Sequence, residues 1–522
     1  MSILDENNFD KFVTENTFTI NDEKYKDEHS IKIRRDKELN IILNQEAVTQ
    51  YKRSKMNPNI IDTIPIIDKS KTNYILKNIY FYSINQLLNS KFCTSKINTE
   101  AFIESIELHS QTYKNSEYIV EFIDNIPTNH LWSDIVDIEI KKQTNIEIGN
   151  IKIEQIPENS SSMIRYLNLK IDNLEVYLSR NKEKNGKEYA NGTILYKGNP
   201  SKELRDKIRN ILSFFIGRIL ILLEETFYDN NWNIVSFKAF SPHNTMSNRA
   251  FKINTILPLP LNNKLNNKEI DSKVLSNYIN LFLNNYDLCD FNHISWLYWH
   301  AQCSALHTKC GELGATIEAL QKAYIDKGWS NAILDKSDFK KFKKDSISII
   351  DKLSISEENK EILKDKFHNF NQLPQKITLR KLFEDLDISL VDLELKAWQG
   401  RNDSAHGGKM KDYSIEKLQK QTNLIQGIFH KLILTISINA YEYYDYYSDV
   451  RGKRNHRKLE VKEITELNLS SNPRENWEEN IKEVLEKNKD KKDEGVISEL
   501  LDDSDLEDSD LDTSSFPLSQ TK

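Results

Sequence analysis

The sequence Gly400-Arg-Asn-Asp-Ser-Ala-His-Gly-Gly408 separates two segments whose apolar residues recur at helical spacing. The amphipathic segment Leu386–Trp398 precedes it, and a longer segment, Ser414–Tyr447, follows it. In the longer segment Leu418 and Ile425 lie seven residues apart, which places them on one helical face. Because glycines and short polar residues interrupt both patterns, residues 400–408 are predicted to form a polar turn between two helices.

The chain before residue 286 reads mainly as β-structure. Asn73–Ile84, Ile135–Ile153 and Tyr166–Leu178 are rich in β-branched and aromatic residues, which favour strands. One helix is predicted there, over Lys202–Phe227, with Ser201 as its N-cap. Residues 1–285 are therefore predicted to form a β-rich N-terminal region.

Residues 286–450 are predicted to form an all-helical domain, so the chain belongs to the α+β multidomain class. The helices predicted within this domain and just before it are Ser276–Leu283, Ile294–Cys310, Thr316–Ile325, Phe339–Lys352, Glu357–Phe370, Leu379–Leu386 and Leu390–Trp398. Residues 451–522 differ in composition: a basic patch is followed by a charged helix, Arg474–Lys489, and an acidic tail. The tail is predicted to be disordered, because so acidic a segment cannot bury enough apolar surface to fold.

Composition and charge exclude several classes of protein. The 522 residues carry a formal net charge of −7, and residues 498–522 hold eight acidic side chains against one lysine. The remainder is close to neutral, which argues against indiscriminate binding to nucleic acid. The apolar run Ile211–Leu223 is too short to span a bilayer, and Met1–Asn8 lacks the apolar core of a signal peptide. With only four cysteines, the chain is expected to be a soluble cytoplasmic protein with no membrane partner.

Arg401 and His406 together suit the cleavage of an RNA phosphodiester. A histidine can take the proton from a ribose 2′-hydroxyl near neutral pH, and an arginine can stabilise the charge that builds on the attacked phosphate. Since RNA carries its own nucleophile, such a site needs no metal, cofactor or covalent intermediate. The same spacing recurs at Arg451 and His456, but that pair lies in a basic cluster and is interpreted as a solvated patch.

The six residues Arg401–His406, followed by Gly407 and placed before the last long helix, resemble the motif of the HEPN superfamily of RNA-cleaving domains. The layout of the chain is most similar to the ApeA-like anti-phage HEPN proteins, in which a β-rich region precedes the helical nuclease domain. Asn210–Gly217 and the strand near Val235–Phe237 resemble the N-terminal region of that group. The resemblance implies a HEPN-like nuclease domain over residues 286–450 and a regulatory or sensor role for residues 1–285.

The resemblance also implies a role for each motif residue. His406 acts as general base or general acid, Arg401 contacts the scissile phosphate, and Asn402 orients the site by hydrogen bonds. HEPN domains work as dimers, and two facing motifs divide the acid and base roles that one histidine cannot fill at once. The expected partners are RNA, with tRNA as one candidate, a second copy of the chain, and a phage-derived protein or nucleic acid as trigger of abortive infection.

Further candidate residues lie outside the motif. Glu318 begins an otherwise apolar helix and is a candidate to orient Arg401 or His406; a solvent-facing position is the alternative. The candidate RNA-binding residues follow a tyrosine-rich segment at the end of the last helix and could hold single-stranded RNA, with a solvated patch as the alternative. They are Arg451, Lys453, Arg454 and Arg457.

A zinc site and two other functions were weighed against these predictions. His300, Cys303, His307 and Cys310 have ligand side chains, but one predicted helix spreads them over about 15 Å at its known rise per residue, too far for one ion. They are interpreted as a packing stripe, and no metal is predicted. A non-catalytic HEPN-type protein that binds RNA or dimerises, and the toxin of a toxin–antitoxin pair, remain as alternative functions.

Overall fold

The computed structural model describes 19 strands and nine helices, numbered below in chain order. The described residues are 9, 18–20, 30–50, 60–68, 72–89, 94–109, 115–127, 131–132, 134–140, 144–148, 151–155, 160–180, 192–242, 257–261, 269–367, 370–405, 415–440, 442–445 and 455–458. The predicted charged helix and the acidic tail lie outside these residues.

Six strands at the start of the chain form a closed antiparallel barrel. They are β1 (Phe18–Ile20), β2 (Ser30–Arg35), β3 (Ile41–Gln50), β4 (Ile60–Ile67), β5 (Asn73–Asn89) and β6 (Thr94–His109). Their order is β3-β2-β1-β4-β5-β6, and β3 also pairs with β6, which closes the sheet on itself. Ile41, Leu43 and Ile103 from the two closing strands belong to one buried apolar cluster that fills this barrel.

The sheet continues beyond the barrel, because β6 also pairs with a strand from later in the chain. The further strands are β7 (Tyr118–Asp124), β8 (Leu131–Trp132), β9 (Asp134–Ile140), β10 (Thr144–Ile148), β11 (Ile151–Gln155), β12 (Ser160–Ile171), β13 (Leu174–Arg180), β14 (Gly192–Lys197), β15 (Ile221–Tyr228), β16 (Ile234–Phe240) and β17 (Glu269–Ile270). From β6 the order is β16-β15-β7-β14-β13-β12-β9, all antiparallel. The prediction of a β-rich N-terminal region is confirmed.

Helix α1 (Lys202–Ile216) packs its apolar face on this continuation of the sheet. The predicted N-cap is confirmed, since the Ser201 hydroxyl accepts from the Leu204 amide at 3.2 Å. The predicted end at Phe227 is wrong. Gly217 adopts a left-handed conformation with φ of 68°, which ends the helix, and residues 221–228 form β15 instead.

A buried ionic network fixes α1 against the sheet. The Arg205 guanidinium donates to Glu121 at 2.9 Å and to Glu225 at 2.6 Å. Arg209 donates to the other Glu121 oxygen at 2.8 Å, and the Tyr196 hydroxyl donates to the same oxygen at 3.3 Å. Because each buried charge meets an opposite charge and further hydrogen bonds, the network fixes the register of α1 on the sheet.

Eight more helices follow the sheet. They are α2 (Ser272–Asn285), α3 (Phe291–Cys303), α4 (Leu306–Asp326), α5 (Lys336–Asp351), α6 (Glu357–Lys366), α7 (Gln375–Asp385), α8 (Asp392–Ala405) and α9 (Ile415–Ile438). The helical character of residues 286–450 is thereby confirmed, apart from one short strand. Among the residues described, no helix is both long and apolar enough to cross a lipid bilayer.

Two further predicted helices differ clearly from the observed ones, and the predicted helix Thr316–Ile325 is the second half of α4. The predicted helix Ile294–Cys310 is broken at Ser304, whose extended ψ of 161° separates α3 from α4. The predicted helix ending at Tyr447 stops at Ile438, because Asn439 is left-handed with φ of 48° and the Ala440 amide donates back to the Leu434 carbonyl at 3.2 Å. The chain then forms a hairpin of β18 (Glu442–Asp445) and β19 (Asn455–Lys458).

One apolar core runs through the second half of the sheet and the helices. Phe214 of α1 contacts the rings of Phe282, Phe291, Tyr298 and Phe429 from three of the later helices, with centroids 5.7 to 6.3 Å apart. The core therefore does not divide at the predicted boundary between residues 285 and 286. Residues Met1–Glu463 form one compact unit.

Candidate active site around Arg401

Arg401 lies in the last two helical turns of α8 and not in a connecting turn between two helices. The helix continues to Ala405, so the prediction of a polar turn is wrong for residues 400–405. Gly400 therefore lies inside the helix, and a Cβ there would lie 2.8 Å from the nitrogen at the end of the Gln421 side chain of α9. The glycine that suggested a turn in the sequence is a helical residue beside α9.

A buried ion pair holds α8 against α9. The Lys431 ammonium lies 2.7 Å from one Glu394 oxygen and 2.9 Å from the other, and it donates to the Ser389 carbonyl at 3.2 Å. Both charged side chains are buried. The same ammonium lies 5.2 Å from the centre of the Tyr443 ring in β18. This set of contacts fixes the helix that carries the motif.

The Arg401 side chain is held on three sides. Its guanidinium carbon lies 3.5 Å from the centre of the Trp398 ring, and its Nη1 donates to the Trp398 carbonyl at 3.0 Å. Its Nη2 makes an ion pair and hydrogen bond with Glu318 of α4. On the remaining side it passes over Gly314, where a Cβ would lie 2.5 Å from the Arg401 Cδ.

The electrostatic result is a fixed, partly neutralised cation at the junction of α4 and α8. Arg401 is only 6% exposed, whereas the Glu318 side chain is 40% exposed. Burial strengthens the attraction between the two charges, and the stacked ring restricts the guanidinium plane. Of the five N–H groups of a guanidinium, the bonds above use Nη1 and Nη2, which leaves donor capacity for a further acceptor.

The structure brings Arg401 and Glu318 into direct contact. That Glu318 orients a catalytic arginine stays a prediction. Asn402 belongs to α8, but its side chain lies outside the described part of the chain, and so does the whole of His406. The basic residues Arg451, Lys453 and Arg454 also lie outside it. Arg457 is a residue of β19 and pairs with Tyr443 of β18. Tyr443 and Tyr444, predicted at the end of a helix, therefore lie in strand β18 of the hairpin.

Sequence reasoning missed two residues that position Arg401. Trp398 precedes it by three residues and is therefore a neighbour on the helix surface, which the sequence would have shown once α8 was extended through the motif. Gly314 has no comparable signal, because its importance depends on which helices pack together. Both are needed to explain why the guanidinium lies where it does.

Of the predicted packing stripe of histidines and cysteines, only Cys310 is buried, whereas His307 is exposed. Cys310 is buried with its Sγ 3.3 Å from the Thr422 hydroxyl, and burial raises the pKa of its thiol. Within the described ranges, no three His, Cys, Asp or Glu side chains are grouped to bind one metal ion. The break at Ser304 also places the first two and last two of the stripe on different helices.

A second histidine of the helical region is a core residue. His430 of α9 is fully buried, and its Nε2 lies 3.3 Å from the Tyr298 hydroxyl, which also accepts from the Gln426 amide at 3.2 Å. Burial lowers the pKa of His430 to about 3, so the imidazole is neutral at physiological pH. It is a structural histidine and not a general base.

Comparisons with known proteins identify no relative. No protein-family model matches the chain, and neither a curated protein nor a solved structure matches it.

Proposed function

We propose that this protein is a metal-independent endoribonuclease that cleaves RNA, with tRNA as one candidate substrate, in an anti-phage abortive-infection response. The observation that carries the proposal is the fixed Arg401 guanidinium, held by Glu318 and Trp398 at the end of α8 and five residues before His406. The resemblance of Arg401–His406 to the HEPN motif supports the assignment.

The proposed reaction is an in-line attack of a ribose 2′-oxygen on the adjacent phosphorus. His406 takes the 2′-hydroxyl proton, and the P–O5′ bond breaks as the new P–O2′ bond forms. Arg401 stabilises the charge on the phosphate oxygens, and Asn402 orients the reacting groups. The leaving 5′-oxygen gains a proton, so the products are a 2′,3′-cyclic phosphate and a 5′-hydroxyl. Glu318 is a positioning residue that acts through Arg401.

The proposed site is composite and needs two copies of the chain. A single histidine that has taken the 2′-proton cannot in the same event supply a proton to the leaving oxygen unless that proton is relayed. A homodimer with facing motifs supplies one histidine as base and the other as acid. Residues 1–285 would then regulate the site in response to a phage-derived protein or nucleic acid.

One observation favours a second candidate, a non-catalytic HEPN-type protein that binds RNA or dimerises. Arg401 is nearly buried and already paired with Glu318, which is how an arginine with a purely structural role is found. On this reading the ion pair of Arg401 and Glu318 would stabilise the junction of α4 and α8, and the basic residues near Arg454 would bind RNA without turnover.

Infected cells separate the two functions. Cells that express the wild-type protein should gain RNA fragments with 2′,3′-cyclic phosphate ends and release fewer phage. His406→Ala should lose both effects, whereas His307→Ala, a matched change at an exposed histidine of α4, should keep both. Protection that survives His406→Ala but disappears in the double variant Arg454→Ala, Arg457→Ala would favour the non-catalytic RNA-binding function over the enzyme.

A further inference from the structure

Helices α5 and α6 form a hairpin that we call the arm. Its base is closed by backbone hydrogen bonds from the Ile333 amide to the Asn371 carbonyl at 3.1 Å and from the Leu373 amide to the Asn331 carbonyl at 2.9 Å. Across both helices only Ile350 is buried. The arm is therefore a well-formed helical hairpin whose surface the described remainder of the chain does not cover.

The exposed side of α5 carries an apolar stripe. Phe339, Phe342, Ser346, Ile349 and Leu353 follow one another at alternating intervals of three and four residues, the spacing of a coiled-coil seam. Ile349 in the middle of this stripe is 63% exposed. Phe339 and Ser346 are half-buried, and the Phe342 ring lies 6.0 Å from that of Phe367 within the arm, so the exposed part of the stripe is one edge formed by Phe342, Ile349 and Leu353.

Helix α6 extends the apolar surface. The Phe370 ring just beyond it is 58% exposed and lies 6.0 Å from the Phe342 ring, centre to centre. Six large apolar side chains of the arm are exposed: Phe342, Ile349, Leu353, Ile355, Ile362 and Phe370. Together they present on the order of 500 Å² of apolar surface. Ile362 lies opposite the half-buried positions Lys360 and Lys364 and faces away from α5, so the other five form the continuous side of the arm.

We propose that the arms of two copies of this chain pair across a two-fold axis and form an antiparallel four-helix bundle. Two arms that cover this side remove on the order of 900 Å² of apolar surface from water, and with the polar rim of the contact this approaches the size of a specific interface. A hairpin also has the right shape, because two antiparallel pairs of helices pack readily side by side. The choice of a second copy as partner rests in part on the proposed function, whose composite site requires one.

The charges of the arm are self-complementary. Helix α5 contains five lysines and three aspartates, whereas α6 contains four acidic residues and three lysines. Two of the α6 lysines already pair within the arm, Lys360 with Glu357 and Lys364 with Asp351 and Glu361. In a two-fold bundle the net positive α5 of one copy lies against the net negative α6 of the other, which favours this pairing.

Sedimentation velocity on the full-length protein tests the proposal without any activity. Wild type should form a dimer of the 61.2 kDa chain, and Ile349→Glu should weaken the dimer at least tenfold, because it places a charge in the seam of both copies. Ser348→Glu adds the same charge to the neighbouring exposed position off the stripe and should leave the dimer unchanged. Equal melting temperatures of the three proteins would show that the monomer fold is retained.

A wild type that stays monomeric at tens of micromolar, or an Ile349→Glu variant that dimerises as wild type does, would overturn the pairing of arms. Monomers that instead bind RNA, and lose that binding in Lys340→Glu with Lys341→Glu, would assign the arm to nucleic acid and equally overturn it. If the protein forms a stable dimer that Ile349→Glu disrupts, but this dimer cleaves no RNA, then the pairing of arms is supported and the proposed function is wrong.

Discussion

Replacing Gly314 with alanine tests whether Arg401 is held as the structure describes. The new Cβ would lie 2.5 Å from the Arg401 Cδ and 2.9 Å from its Nε, well inside van der Waals contact. These atoms belong to the middle of a side chain whose end is fixed by Glu318 and Trp398. The guanidinium cannot move away without weakening at least one of those contacts.

The expected magnitude is a balance of two effects. Alanine in a helix interior is favoured over glycine by about 1 kcal/mol. Forcing an extra methyl group into a packed site costs roughly 1 to 3 kcal/mol. Gly314→Ala should therefore leave the free energy of unfolding unchanged or lower it by up to about 2 kcal/mol, although the same substitution stabilises an uncrowded helix.

Two other glycines provide matched controls. A Cβ on Gly427 of α9 would meet no atom within 4 Å, so Gly427→Ala should raise the free energy of unfolding by about 1 kcal/mol. A Cβ on Gly400 would lie 2.8 Å from the end of the flexible Gln421 side chain, which can move aside. Gly400→Ala should therefore fall between the other two variants.

Urea unfolding of the three variants beside wild type would measure the differences. The expected order of midpoints is Gly427→Ala highest, then Gly400→Ala, then Gly314→Ala. If Gly314→Ala stabilised the protein as much as Gly427→Ala, Arg401 would not lie over Gly314 and the description of the site would be wrong. RNA cleavage should fall only in Gly314→Ala, because only that substitution displaces the guanidinium.

Three further outcomes are expected. Glu318→Gln should lower RNA cleavage at least tenfold by releasing Arg401, whereas Glu318→Asp should keep part of the activity; equal rates for wild type and Glu318→Gln would remove the positioning role. Glu394→Gln should destabilise the fold by about 3 kcal/mol, because it leaves the buried Lys431 charge without its partner, and an unchanged urea midpoint would contradict this. Burial raises the pKa of the Asp124 carboxyl to about 6. Above that pH the folded protein holds a buried negative charge, which lowers the free energy of unfolding, and protonation of the carboxylate at lower pH removes this cost. Asp124→Asn should therefore raise the free energy of unfolding at pH 8 by about 3 kcal/mol, with the gain lost by about pH 4, and a pH-independent difference would refute that cause.

The sequence predicted the order of the regions because each carries its own periodicity. Alternating β-branched residues marked the strands, and helical spacing marked the segments after residue 286. The Ser201 cap of α1 was readable because a cap depends only on local residues. Closure of the barrel by β3 and β6 was not readable, since pairing between distant strands leaves no local signal.

The wrong predictions of helix bounds arise where the local sequence pattern does not decide the backbone conformation. Gly400 lies within α8 although glycine disfavours helices, and Asn439 ends α9 by adopting a left-handed conformation inside an apolar run. In both cases tertiary packing or a single backbone angle outweighs the local pattern. Within the site, Glu318 could be proposed from a lone acid on an apolar helix, whereas Gly314 gained meaning only from the packing of α4 on α8.

The most direct test of the central claim is cleavage of total RNA and tRNA by purified full-length protein in EDTA, with wild type beside His406→Ala and the matched variant His307→Ala. Wild type and His307→Ala should cleave RNA and leave cyclic phosphate at the new 3′ ends, whereas His406→Ala should not cleave. Equal cleavage by His406→Ala, or products that end in a free 3′-hydroxyl, would contradict it.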